Sequence, residues 1–77
     1  SWKEGLITFK DINFKDLMKE LEKNFGIRII IDNHTLDNYA CSGKFRISDG
    51  IEQVLRALQQ DAHFTFERES GTEIRIQ

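Results

Sequence analysis

FKDLMKELEKNFGIRIII, residues 14–31, decides the fold. Phe14, Leu17, Met18, Leu21 and Phe25 fall at i, i+3, i+4, i+7 and i+11, which is one face of an α-helix. Lys15, Asp16, Lys19, Glu20, Glu22 and Lys23 fill the opposite face. Asn13 is placed as an N-cap, Asp16 at N3 forms a short-armed capping box, and Ile12 and Leu17 have the spacing of a hydrophobic staple. Gly26 is the natural left-handed stop. The β-branched run Ile27–Ile31 then predicts a strand. Upstream, Leu6-Ile7-Thr8-Phe9 supplies a strand before the helix, so the first half reads β-α-β.

The same unit recurs. Phe14, Leu17, Met18, Leu21, Phe25, Ile27 and Ile29 correspond to Ile51, Val54, Leu55, Leu58, Ala62, Phe64 and Phe66, each pair 37 residues apart. Phe9 matches Phe45 after a one-residue gap. Between the halves, residues 32–38 are rich in Asp and Asn and predict a loop. Tyr39–Ile47 reads as a strand with Cys41, Gly43, Phe45 and Ile47 on one face. Asp49 is placed to cap the second helix, with Glu52 three residues on. His63–Arg68 and Glu73–Gln77 are strands joined by a turn at Ser70-Gly71-Thr72. The fold class is therefore α+β, in the order β-α-β-β-α-β-β. Two units are too few for a solenoid, and they predict two helices packed by small sheets, with right-handed βαβ crossovers.

Composition narrows the function. At 77 residues the chain is one domain spanning 1–77 with a modest core. The net charge is −2 from 11 basic and 13 acidic residues, with no basic stripe, which argues against nucleic acid as a partner. No apolar run approaches the ~20 residues needed to span a bilayer. The chain opens on Ser1-Trp2 rather than Met and reads as a piece of a longer protein.

The whole pattern resembles the STN-type domains of secretins and TonB-dependent receptors, and more closely the C-terminal domain of FecR-type anti-sigma regulators. The residues that carry the likeness are the opening Trp2-Lys3-Glu4-Gly5 and the strand Ile7-Thr8-Phe9. To these are added the helix from Phe14 to Gly26, then Gly43-Lys44-Phe45, the helix core Val54-Leu55-Arg56-Ala57-Leu58, and the closing hairpin. That family often has Thr before the Gly-x-Phe glycine, where this chain has Ser42. The resemblance implies a parent protein with a cytoplasmic segment that restrains a sigma factor and one inner-membrane helix. A periplasmic region would end in this domain, which would bind the signalling domain of an outer-membrane TonB-dependent transducer. No catalytic residue comes with the resemblance. The alternative is a secretin or receptor N-terminal module for ring assembly or signal donation, which flanking sequence would distinguish. A small enzyme or ligand-binding domain is the third reading, and a concave pocket with convergent titratable groups would favour it.

The chemistry-bearing residues have mundane readings. Cys41 is on the inward parity and reads as a small core hydrophobe. His34 lies in a loop and His63 at a strand start, short of the three or four ligands that zinc requires. Asp32 and Asp37 suit a turn. No catalytic, metal or cofactor residue is assigned, and no cofactor is expected. Candidates for partner binding are apolar or exposed strand residues that the pattern leaves outside: Trp2, Leu6, Arg28, Ile30 and Tyr39.

Overall fold

A computed structural model describes residues 5–77. The elements are β1 (Leu6–Asn13), α1 (Phe14–Phe25), β2 (Arg28–Ile31), β3 (Ala40–Arg46), α2 (Ile51–Leu58), β4 (Phe66–Ser70) and β5 (Glu73–Ile76). Short 3-10 turns, His34–Leu36 and Ile47–Asp49, precede β3 and α2. The order is the expected one. Trp2 lies outside the described residues.

Both helices bury the face that the spacing predicts. Phe14, Leu17, Met18 and Leu21 of α1 meet Ile51, Val54, Leu55 and Leu58 of α2 in one core, with Ile7, Ile29, Phe64, Ile74 and Ile76 contributed by strands and their flanks. Phe14 is fully buried. Its ring meets Phe64 edge-on at a centroid distance of 5.3 Å, the geometry that ring quadrupoles favour.

The strands that flank each helix do not pair with each other. β1 pairs antiparallel with β3. β2 pairs in parallel with β5, which also takes β4 antiparallel, giving the order β2-β5-β4. Each sheet thus draws strands from both halves, and the expected right-handed crossovers have no parallel partner strands to join. Phe9 and Phe45, the repeat equivalents, stack on each other across the β1–β3 pair at 5.6 Å. Gly43 makes this possible: a Cβ there would lie 3.1 Å from Phe45 Cε2 and 3.3 Å from Phe9 Cζ.

The one-residue gap in the repeat has a structural counterpart. The first half reaches its helix through a bulge between Phe9 and Ile12, with Asp11 at φ 51°. The Asp11 N–H donates to Ser42 Oγ at 3.0 Å. A hydroxyl is what that bulge needs, and Ser supplies one as Thr does. The second half reaches its helix through the 3-10 turn and Gly50 instead.

Two predicted caps are corrected. Asn13 occupies the N-cap position of α1 but its side chain makes no capping bond. Backbone carbonyls of the 37–39 loop take over: Phe14 N–H donates to Tyr39 O at 2.8 Å and Lys15 N–H to Asp37 O at 3.3 Å. Asp49 does not cap α2, because the turn closed by Gly50 N–H on Ile47 O at 3.0 Å places Gly50 at the N-cap. Gly26 behaves as predicted, at φ 61° and ψ 39° with its N–H on Glu22 O.

Candidate interaction surfaces

Pairing the strands this way leaves four sheet edges, and their chemistry differs. Edge strands present unpaired N–H and C=O groups that invite another strand unless something blocks them.

At β2, Arg28 N–H and Asp32 N–H donate to Thr72 O and Ile76 O, each at 2.8 Å. Alternation then turns the backbone N–H and C=O groups of Ile29 and Ile31 toward the free edge. The Ile29 N–H is already taken: it donates to Glu22 Oε2 at 2.7 Å. The last turn of α1 therefore blocks this edge with a carboxylate. At β4, Glu67 and Glu69 are both exposed. Arg68 is turned back onto Ser70 O, Gly71 O and Glu52.

The outer face of the β2-β5-β4 sheet is knit by Arg75. Its Nη1 reaches Asp32 Oδ2 at 2.8 Å and its Nε reaches Glu69 Oε1 at 2.8 Å. Hydrogen bonds to Asp32 first, and to Glu69, hold the guanidinium firmly charged. Ile30 lies directly opposite Arg75 in the β2–β5 register and is half-buried. Arg28, opposite Glu73, is exposed.

The outer face of the β1–β3 pair carries unpaired cations instead. Thr8, Lys10, Ser42, Lys44 and Arg46 are exposed there, with Leu6 half-buried at the strand start. Among the described residues, none of these three cations has an ion-pair partner.

The sequence candidates thus fall in separate places. Leu6 is opposite Arg46 at one end of the β1–β3 pair. Tyr39, 39% exposed, precedes Ala40 at the other end, about 20 Å away at ~3.3 Å per residue. Arg28 and Ile30 belong to the other sheet. What the sequence reading missed is the blocking role of Glu22, legible only once Gly26 folds the chain back along its own helix.

Cys41 is 5% exposed. Its thiol faces Tyr39 O at 3.6 Å, and burial raises its pKa above the ordinary value. It is packed as a hydrophobe. His34 Nδ1 lies 3.1 Å from Asp37 Oδ2 in an exposed turn. Among the described residues no three His, Cys, Asp or Glu side chains converge, and none of the helices is long and apolar enough to cross a membrane.

The sequence profile of the FecR C-terminal family matches residues 6–76, nearly the whole chain. The chain belongs to the FecR C-terminal family. The crystal structure of a candidate anti-sigma factor from Parabacteroides distasonis has the same fold, with a TM-score of 0.84 at 20% identity. That likeness covers 99% of this chain and 35% of the other, so the FecR domain here corresponds to about a third of that protein. No curated protein matches the sequence. FecR C-terminal domains are periplasmic in membrane regulators, and the family is typically regulatory.

Proposed function

We propose that this domain is the periplasmic end of a single-pass inner-membrane anti-sigma regulator. It binds the signalling domain of an outer-membrane TonB-dependent transducer and relays the transducer's state to a sigma factor. The observation that carries this reading is the family match over residues 6–76. The surface is compatible with it: protein partners are recognised by exposed sheet edges and by apolar side chains on charged faces, and this fold offers both. Ile30, Arg28, Leu6 and Tyr39 are the described residues put forward for contact.

The test is an NMR titration of the labelled domain with the isolated signalling domain of the transducer encoded beside it. Saturable shifts are the expected result. Their absence at near-millimolar partner would remove direct binding by this domain. Ile30→Asp probes the β2 face: if it folds normally and binds unchanged, Ile30 makes no contact.

A further inference from the structure

The free edge of β1 differs from the β2 and β4 edges. Ile47 N–H donates to Gly5 O at 2.7 Å. In an antiparallel ladder the paired residues alternate, so Gly5, Ile7 and Phe9 bond to β3, while Leu6 and Thr8 turn their N–H and C=O groups outward. No other backbone group described here bonds to them. Beside this edge runs a cleft of about 210 Å³ lined by Ile7, Thr8, Phe9 and Ile12 of β1 and by Leu17 and Glu20 of α1. Thr8 lines it although its side chain is on the opposite face from Ile7 and Phe9, and no β3 residue does. The cleft therefore opens at the unpaired edge.

We propose that β1 accepts an extended strand of a partner protein in which apolar and acidic residues alternate. The backbone of that strand pairs with Leu6 and Thr8. Its apolar side chains point inward and fill the cleft over Phe9 and Ile12, which are only partly buried. Its acidic side chains point outward, where Lys10 lies on β1 and Lys44 and Arg46 on the next strand. Opposite charges across neighbouring strands are favourable, and like charges directly opposed are not. This is charge complementarity with a fixed period, because side chains alternate along a strand. Of the other edges, β2 is blocked by Glu22 and β4 carries Glu67 and Glu69, which repel the same partner. The cleft beside β3 is lined by the polar Tyr39, Ser42 and Asp61, whereas four of the six residues lining the cleft beside β1 are apolar. A second copy pairing β1 to β1 would bring two basic faces together, which argues against self-pairing. The assignment deepens the interaction reading above and rests on it only for the partner's identity.

The probe is an acetylated, amidated octapeptide alternating glutamate and valine, titrated into the ¹⁵N-labelled domain. Expected are saturable shifts and slowed exchange at the amides of Leu6 and Thr8. Thr8→Pro removes an outward N–H without touching the β1–β3 ladder, as an edge position permits, and should weaken binding by at least about tenfold. The surface variant Lys10→Glu/Lys44→Glu, which leaves the fold alone, should weaken it by a similar factor and reduce its salt dependence. A lysine–valine peptide should bind at least about tenfold more weakly than the glutamate one. Shifts centred on β2, β3 or β4, no saturation at about millimolar peptide, unchanged affinity in the charge-reversal variant, or concentration-dependent broadening at Leu6 and Thr8 without peptide would each overturn the proposal. The transducer arm separates the two readings. A signalling domain that binds away from β1 sinks the edge assignment and leaves the functional reading standing. Peptide binding at β1 without signalling-domain binding does the reverse.

Discussion

Replacing Glu22 by Ala removes one side chain and should unblock one edge. In the wild type the Glu22 carboxylate accepts the Ile29 N–H at 2.7 Å. Hydrogen bonds to a charged group are worth about 1.5–3 kcal/mol net when well shielded. Glu22 is only half-buried, and the released N–H at an edge can turn to water, so the lower end applies. Alanine also returns a few tenths of a kcal/mol in helix propensity. The net loss is about 1 kcal/mol, equivalent to a fall in Tm of about 4–8 °C for a domain of this size. Glu22→Gln keeps an acceptor oxygen and should lose about half as much. Glu20→Ala is the control: among the described residues the Glu20 carboxylate pairs with Lys23 alone, at 4.0 Å and exposed, so it should cost about 0.5 kcal/mol or less. The decisive assay is native-state amide exchange. Arg28 N–H and Asp32 N–H, bonded to Thr72 O and Ile76 O, are internal references on the same strand. In Glu22→Ala the Ile29 amide should gain about tenfold in exchange rate beyond those two. If all three amides accelerate together, Glu22 stabilises the domain globally and does not guard the edge.

Three further outcomes are expected. Phe14→Ala empties a fully buried site against Phe64 and should cost about 3–5 kcal/mol, read by urea denaturation; a cost under about 1.5 kcal/mol would mean the core collapses around the gap. Gly26→Ala forces a Cβ into φ 61° and should cost about 1–2 kcal/mol although open space surrounds it, which separates backbone strain from crowding. Cys41 should resist thiol reagents in the folded state. Because burial raises its pKa, its contribution is intact below the unfolded thiol value of about 8.5 and is lost as pH rises through the folded value. Cys41→Ala should flatten that alkaline fall in stability.

The helices, their buried faces and the order of elements along the chain were legible because each signal is local. Phe14 through Phe25 mark one helical face, and Cys41 and Phe45 show their inward parity without knowledge of any partner. The pairing was not legible. Nothing in Ile7 or Phe9 says that β3 rather than β2 will lie beside them, because a half-buried strand fits any partner of matching face. The Asn13 cap failed for a related reason: a distant loop delivers Tyr39 O and Asp37 O to the same N–H groups, and the side chain is left without work. The interface candidates suffered most. Leu6, Ile30 and Tyr39 stood out singly, but only the sheet assignment shows that they occupy different surfaces.

Because each sheet borrows strands from both halves, the two halves are obligate co-folders. Cut between β2 and β3, the first half would hold β1 and β2 with no partner for either. The second would keep only the β4–β5 hairpin, and a two-stranded hairpin alone is marginal in water. Non-local pairings of this kind slow folding, since the chain must close long loops before β1 can meet β3 or β2 can meet β5. They also make the domain all-or-none. Two separately expressed halves, each unstructured, should regain the fold only together, a property that suits a reporter split within residues 32–38.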